Sequence, residues 1–269
     1  MSHSQGLPDA LDALPDIGRR MAGKKTALFL DLDGTLAPIA ARPDLVEVPE
    51  TTRELLEQLA RLCPVVVVSG RGLEDLRDKV GVRSVFYVAD HGFQVLGPVR
   101  QRLELEVGRE SRPQLEQAAA ALRRALATVE GALVEEKGLS LSVHYRLVPR
   151  ERQAAVLRAV ADVAERFPML RVTEGKLVHE FRPPDDWNKG KALVWVMEQL
   201  GLGRGSGIGE GFPIALGDDL TDEDMFAAVE GWGAAVLVGD PGRPTRASYW
   251  VADHLGTARF LEGVLTLLR

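Results

Sequence analysis

Residues 28–36 read Leu28-Phe29-Leu30-Asp31-Leu32-Asp33-Gly34-Thr35-Leu36, an apolar run that ends in two carboxylates, a glycine and a threonine. This pattern predicts a buried strand that delivers Asp31 and Asp33 to a loop. Side chains two residues apart on an extended segment point the same way, so both carboxylates can face one small ligand. Two like charges held close together need a cation or a proton between them, and Mg²⁺ typically takes carboxylate oxygens while it binds phosphate.

Two other interpretations of this stretch are a calcium-binding loop and an ordinary polar turn. A calcium-binding loop would continue with oxygen donors at alternate positions, whereas residues 36–39 read Leu-Ala-Pro-Ile, which excludes it. An ordinary polar turn after a core strand, in which Gly34 permits the turn and Thr35 braces it, stays open on this motif alone.

Composition narrows the classes of partner. The chain has 269 residues, of which 45% are hydrophobic, so it can bury the core of one large domain or two small ones. Its net charge of -6 and its lack of a Lys/Arg block argue against nucleic acid or an anionic membrane as partner. The single cysteine, Cys63, excludes a disulfide framework and fits a reducing compartment. With neither a signal peptide nor a membrane span visible, we expect a cytoplasmic monomer that acts on a small molecule.

Downstream of the first loop, the chain alternates helical and strand patterns. Leucines at helical spacing between residues 52 and 62, with Thr51 or Thr52 as the expected cap, precede the apolar run Val65–Val68. Solidly apolar strands joined by a helix predict a parallel sheet covered on both faces. Ser69-Gly70-Arg71 then lies at the carboxyl edge of this sheet, although Ser69 taken alone is better explained as a helix cap. A third strand, 85–89, leads to His91 at the same edge.

Between about residues 97 and 183 the pattern changes. Two long helical segments, 114–129 and 151–167, alternate with short strand pairs split by glycine-containing turns. Hairpins of this kind predict an antiparallel, half-exposed sheet. We therefore expect an inserted α+β cap domain over residues 97–183, with the catalytic core formed by 1–96 and 184–269.

The last third returns to the first pattern. Lys189-Gly190-Lys191 opens a helix, the glycine-rich stretch from Gly201 to Gly211 is expected to be a flexible surface loop, and a strand over 213–216 follows. Next comes Gly217-Asp218-Asp219-Leu220-Thr221-Asp222, in which Thr221 is the expected N-cap of the next helix. Capping does not explain Asp218 and Asp219, which precede that position at the end of a strand.

Separate strand ends therefore present Asp31 with Asp33, Ser69, and Asp218 with Asp219, while Lys189 begins a nearby helix. In this order the residues resemble the haloacid dehalogenase superfamily of phosphatases. The resemblance implies a Rossmann-like α/β core with a doubly wound parallel sheet and a cap. It also implies that Asp31 is the nucleophile, that Asp33 is a general acid/base, and that Ser69 and Lys189 hold the phosphoryl group.

Further motifs resemble the trehalose-6-phosphate phosphatases. They are Ser69-Gly70-Arg71, His91-Gly92, Glu174-Gly175-Lys176, Glu180-Phe181-Arg182-Pro183, Lys189-Gly190-Lys191 and 217–223. The resemblance implies that Asp31, the Asp33 backbone carbonyl and Asp218 bind Mg²⁺ directly. It also implies that Asp219 or Asp222 supports these ligands without binding the ion itself. It implies substrate contacts from Thr35, Arg71, His91, Glu174, Lys176 and Glu180. One departure is Phe93-Gln94, since the family usually has an acid two residues after His-Gly.

Several alternatives stay open at this point. One is an insert that serves another sugar phosphate, of the sucrose-phosphate or glucosylglycerol-phosphate type. A phosphotransferase would use the same aspartate but pass the phosphoryl group to a second sugar. A non-catalytic partner domain of a synthase would have no need of these acids. For Glu174, Lys176 and Glu180, cross-strand ion pairing on a hairpin is the alternative to sugar binding.

Overall fold

The structure, a computed structural model, describes residues 6–40, 42–175, 177–205 and 210–269. Within them the strands are β1 (Lys25–Asp31), β2 (Val65–Val68), β3 (Phe86–Ala89), β4 (Gln94–Leu96), β5 (Glu104–Glu106), β6 (Leu133–Glu136), β7 (Leu141–His144), β8 (Arg171–Gly175), β9 (Val178–Arg182), β10 (Gly211–Gly217), β11 (Ala234–Val238) and β12 (Tyr249–Val251). The α-helices are α1 (Leu14–Met21), α2 (Glu50–Leu59), α3 (Leu73–Val80), α4 (Arg112–Leu126), α5 (Arg150–Arg166), α6 (Lys189–Gln199), α7 (Glu223–Val229) and α8 (His254–Leu268).

The larger sheet has the strand order β12-β11-β10-β1-β2-β3-β4-β5. Strands β12 to β3 run parallel, and β4 and β5 are antiparallel additions at one edge. The chain leaves β1 toward β2 on one side and returns to β10 on the other. Such a reversal of strand order places a crevice at the carboxyl ends of the central strands.

The side chains of β1 explain why helices cover both faces of this sheet. Leu28 and Leu30 point into one apolar cluster, which also holds buried residues of α1, α2, α3 and α8. Ala27 and Phe29 point into a second cluster, which α6 and α7 complete. The doubly wound α/β core expected from the apolar strands is confirmed.

A smaller antiparallel sheet, ordered β6-β7-β9-β8, lies apart from the first. Its apolar face packs on α4 and α5 around Leu141, Val143 and Phe181, which are fully buried. The opposite face is polar and contacts the core's loops through bonds described below. We call this unit the cap.

Strand β5 pairs with β4 in the larger sheet, although residues 104–106 fall in the segment that the sequence assigns to the insert. The borders at 97 and 183 stay a prediction, and the second sheet itself spans residues 133–182. Among the described residues, no helix is long and apolar enough to cross a membrane.

Two details of the helix starts differ from expectation. Helix α2 follows Pro49 without a side-chain cap, so the predicted capping by Thr51 or Thr52 is wrong. Helix α6 is capped by Asn188, whose side chain accepts a hydrogen bond from the Lys191 amide at 2.9 Å, and this bond fixes the turn on which Lys189 lies. In the glycine-rich 201–211 stretch, residues 206–209 lie outside the described part of the chain.

Candidate active site

The carboxyl ends of four neighbouring strands meet at one edge of the larger sheet. Asp31 ends β1, Ser69 follows β2, His91 follows β3 and Asp218 follows β10. Asp31 and Ser69 are buried, so the sheet delivers polar groups to a largely desolvated site. Sequence reasoning predicted this convergence, because parallel strands end at a common edge.

Lys189 links the first turn of α6 to this edge. Its Nζ donates to Asp31 Oδ1 and to Asp222 Oδ1, each at 2.7 Å, and all three side chains are at least nine-tenths buried. Burial alone would lower the pKa of Lys189, but the charges of Asp222 and Asp31 outweigh it and hold that pKa well above its usual value. The lysine is therefore a fixed positive charge beside the nucleophile candidate.

Three carboxylates surround that charge. Asp31, Asp218 and Asp222 each place one oxygen within 4.8 Å of the others. Burial, and then the charge of Asp222, raise the pKa of Asp31 well above its ordinary value. Burial raises the pKa of Asp218 to about 7, with further contributions from Asp222 and Asp219. One lysine thus leaves this trio short of positive charge, and an all-oxygen donor set of this kind fits Mg²⁺.

Two glycines let the loops carry these acids so close together. At Gly34, φ is +87° and an added Cβ would lie 2.3 Å from Asp218 Oδ2. At Gly217 an added Cβ would lie 2.3 Å from the Asp222 carboxyl carbon. Any larger residue at either position would displace a member of the trio.

Asp33 lies outside the trio and has a cationic partner of its own. Arg71 donates from Nε to Asp33 Oδ2 and from Nη2 to Asp33 Oδ1, both at 2.7 Å, and from Nη1 to Asp75 at 2.6 Å. This bidentate pairing fixes the plane of the Asp33 carboxylate. Arg71, which the family resemblance assigns to substrate, is therefore placed by the structure against the candidate acid/base.

Of the later acids, Asp222 joins the trio and Asp219 does not. The Asp219 side chain is exposed and caps a short 3₁₀ turn, accepting from the Leu220 amide at 2.7 Å, while Asp222 Oδ2 accepts from the Asp219 amide at 3.0 Å. The prediction that Thr221 caps the helix is therefore wrong, because this reciprocal capping by Asp219 and Asp222 occupies its place.

Ser69 and Thr35 are buried hydroxyls at the same edge. Ser69 Oγ accepts from the Arg71 amide at 3.2 Å, and it does not cap α3, which begins after Gly72 without a side-chain cap. Thr35 is fully buried, and its Oγ1 has no hydrogen-bond partner within the described parts of the chain.

The cap reaches this edge through Glu180. Its Oε1 lies 3.2 Å from His91 Nε2 and 3.2 Å from Lys137 Nζ, and it accepts from Ser142 Oγ at 3.4 Å. Burial alone would raise the pKa of Glu180, but His91 and Lys137 hold it well below the usual value. Glu180 therefore pairs both with His91 of the core and with Lys137 of the cap.

The other cap residues singled out from the sequence are placed differently. Thr173 lies opposite Glu180, and Glu174 lies opposite His179, so the exposed Glu174 is on the other face of the sheet from Glu180. Lys176 lies outside the described residues.

Sequence reasoning missed part of the polar face of the cap. Glu135, Ser142 and Glu180 stand in one row across the sheet, and His144 Nε2 lies 2.8 Å from Glu135 Oε2. Lys137, in the turn after β6, joins them through Glu180. The alternation of apolar and polar residues in β7, which reads Leu-Ser-Val-His, is the signal that would have identified this face.

Comparison with known proteins finds a matching family model and similar relatives. A family model described as trehalose-phosphatase matches residues 29–247. The trehalose-phosphate phosphatase of Mycolicibacterium paratuberculosis (strain ATCC BAA-968 / K-10) is 41% identical over 262 residues, covering 95% of this chain and 66% of that protein. That of Mycobacterium tuberculosis (strain ATCC 25618 / H37Rv) is 38% identical over 266 residues, covering 98% and 67%. The chain thus spans about two thirds of the length of these relatives.

Solved structures share the fold. A trehalose-6-phosphate phosphatase related protein superposes with a TM-score of 0.76 at 23% identity, covering 90% of this chain and 97% of that one. The trehalose-6-phosphate phosphatase of Aspergillus fumigatus gives a TM-score of 0.67 at 24% identity, covering 97% and 99%.

Proposed function

This chain belongs to the trehalose-phosphatase family, and on that premise we propose that it hydrolyses trehalose 6-phosphate to trehalose and phosphate through an aspartyl-phosphate on Asp31. The observation that carries the proposal is the buried contact of Asp31 with Lys189 beside Asp218 and Asp222, beneath a cap that presents a polar sheet face. Such a site is built for a phosphate ester whose alcohol part is also polar.

Asp31 supplies the nucleophile. A carboxylate oxygen of Asp31 forms a bond to phosphorus as the bond from phosphorus to the sugar oxygen breaks. Lys189 Nζ, 2.7 Å from Asp31 Oδ1, and the Ser69 hydroxyl stabilise negative charge on the transferring group. Splitting one displacement into two lowers the barrier of each.

Asp33 moves the protons. It gives a proton to the departing sugar oxygen and later takes one from the water that attacks phosphorus, which releases phosphate and restores Asp31. Arg71 orients the Asp33 carboxylate through two bonds of 2.7 Å. Because Asp33 lies outside the acid trio, its side chain is not needed to hold the cation.

The residues present fit a divalent cation. Asp31, Asp218 and Asp222, with the Asp33 backbone carbonyl, would hold Mg²⁺, which when bound offsets negative charge around the phosphoryl group. Asp219 would not bind the ion directly, and its capping bonds with Asp222 would hold that ligand in place.

The sugar would meet the polar face of the cap. Glu180 is held as a carboxylate by His91 and Lys137, and only its Oε1 is engaged in the contacts described above, so Oε2 can accept a sugar hydroxyl. Thr173, opposite Glu180, would extend this surface. A sugar contact from Lys176 is proposed on the family resemblance alone. Glu174, on the other face of the sheet, would contribute only if the substrate reaches the end of the hairpin.

We expect the protein to act as a cytoplasmic monomer without a nucleic acid partner. The net charge of -6 argues against a nucleic acid partner, and the single, buried Cys63 fits a reducing compartment. Size-exclusion chromatography with light scattering tests the monomer, and a dimer mass would refute it.

The test of function is phosphate release from trehalose 6-phosphate, sucrose 6-phosphate, glucosylglycerol phosphate and glucose 6-phosphate, with Mg²⁺ or with EDTA. We expect Mg²⁺-dependent release from trehalose 6-phosphate with the highest kcat/KM of the panel. Preference for another sugar phosphate would refute the substrate, and a new sugar phosphate without free phosphate would identify a phosphotransferase. No turnover of any compound would point to a non-catalytic domain.

A further inference from the structure

Asp90 is a buried acid that the proposed chemistry does not use. It follows β3 in the core, is fully buried, and accepts hydrogen bonds from the cap with both carboxylate oxygens. Oδ2 accepts from the Leu139 amide at 2.7 Å, and Oδ1 accepts from the Ser140 hydroxyl. Leu139 and Ser140 follow Lys137 in the turn between β6 and β7.

The same loop is bonded to the catalytic loops of the core. The Asp90 amide donates to the Arg71 carbonyl at 2.7 Å, and the His91 amide donates to the Ser69 carbonyl at 3.1 Å. Asp90 and His91 have φ values of +54° and +55°, a left-handed conformation that side-chain-bearing residues adopt only with such support. Asp90 therefore connects the loop that carries Ser69 and Arg71 with a turn of the cap.

The loop also contacts the segment that leads back from the cap. Trp187 Nε1 donates to the Gly92 carbonyl at 2.8 Å, and an added Cβ at Gly92 would lie 2.6 Å from the Asn188 carbonyl oxygen. Asn188 caps the helix that begins with Lys189. Residues 90–92 thus form a junction between the cap, the returning segment and the phosphoryl site.

The cap turn sits against the core with little free space. An added Cβ at Gly72 would lie 2.9 Å from the Lys137 carbonyl oxygen, and one at Gly138 would lie 2.7 Å from Gln94 Nε2. Gln94, which replaces the acid usual in the family, is therefore buried beneath this turn. The position of the Lys137 side chain depends on how this turn is seated.

From these contacts we propose that Asp90 is a positioning residue that ties the cap to the core, so that Lys137 and Glu180 are held over the phosphoryl site. This inference deepens the proposed function and rests on it for the identity of the sugar. Two covalent connections join the cap to the core, and the Asp90 bonds add a further attachment next to the site, beside the Glu180–His91 contact. Breaking them lets the cap turn shift while leaving the core's own residues in place.

The charges facing Asp90 support this role. Burial raises the pKa of Asp90 to about 6, while the Ser140 hydrogen bond and the charges of Lys137 and His91 lower it and that of Glu180 raises it. At neutral pH the group is therefore a carboxylate, and the Lys137 ammonium of the cap is a cationic neighbour. Hydrogen bonds to a charged acceptor are stronger than those to a neutral one.

Asp90→Ala and Ser140→Ala remove the tie from opposite sides. We expect each to raise KM for trehalose 6-phosphate by about tenfold or more, the loss typical of one hydrogen bond to a charged group. kcat/KM for p-nitrophenyl phosphate, which has no sugar to be gripped, should stay near the wild-type value. Asp253→Ala is the matched control, because it removes a carboxylate-to-amide bond of 2.8 Å at the start of α8, in the core. It should leave both substrates unaffected.

Hydrogen exchange gives a readout independent of catalysis. The Leu139 amide should exchange at least about tenfold faster in Asp90→Ala, because its acceptor is gone. An unchanged Leu139 rate, an unchanged KM, or a parallel loss with both substrates would overturn the proposal. If Asp90→Ala does not fold, Ser140→Ala decides by the same kinetic comparison, since it leaves the core loop intact. If the wild type does not hydrolyse trehalose 6-phosphate, the proposed function fails while the exchange result still decides whether the tie exists.

Discussion

Replacing Lys189 with methionine tests how far the site depends on one buried charge. Lys189 Nζ lies 2.7 Å from both Asp31 Oδ1 and Asp222 Oδ1, and side-chain exposures are 4%, 8% and 0%. Methionine nearly fills the volume but leaves two buried carboxylates without their cation. Removing one partner of a buried ion pair typically costs about 3–5 kcal/mol, so we expect Lys189→Met to lower the free energy of unfolding by about that amount at pH 8 in EDTA.

Urea unfolding followed by far-UV circular dichroism measures this difference. Lys191→Met is the matched control, because Lys191 lies on the same helix turn but pairs with the exposed Asp186 at 2.6 Å, and it should change stability little. The deficit of Lys189→Met should shrink toward pH 5, since the unpaired carboxylates can then take up protons. A Lys189→Met variant as stable as Lys191→Met at pH 8 would refute this account of the charge balance.

Three further predictions concern the loops and the ion. Gly34→Ala should lower kcat about 10²-fold, because its Cβ would displace Asp218, whereas Gly23→Ala, also at positive φ but in open space, should not; steady-state kinetics of both variants decides. The native state binds the Asp90 proton more tightly than the unfolded state, so the contribution of Asp90 to stability falls from pH 4 to 7. Relative to the wild type, Asp90→Asn should therefore gain about 2 kcal/mol over that range in urea titrations. Mg²⁺ at 100 times its Kd should add about 2.7 kcal/mol to the free energy of unfolding of the wild type. Thermal melts should show a smaller stabilisation by Mg²⁺ in Asp218→Asn than in the wild type.

The strand ends are the part of the site that the sequence predicts well. Asp31, Ser69 and Asp218 each follow an apolar run, and runs of that kind belong to parallel strands whose carboxyl ends share an edge. Lys189 joins them because its helix begins at the same edge. The sequence also predicts the antiparallel cap sheet over residues 133–182, because hairpins pair strands that are close together in sequence.

Other features depend on contacts between segments far apart in sequence. The pairing of Arg71 with Asp33, 38 positions away, requires the seating of one loop on another, which periodicity does not encode. Asp222 joins the acid trio and Asp219 does not, because the two residues cap a short 3₁₀ turn reciprocally. The bonds of Asp90 to Leu139 and Ser140 appear only once the cap is placed on the core.

The most direct test of the mechanism is the stereochemical course at phosphorus, using trehalose 6-phosphorothioate made chiral with two oxygen isotopes and hydrolysed in water labelled with the third, because thiophosphate with three different oxygens is chiral. Attack by Asp31 followed by attack of water is two in-line displacements, so the thiophosphate should be released with retention of configuration. Inversion would show that water attacks the substrate directly, and it would contradict the assignment of Asp31 as nucleophile.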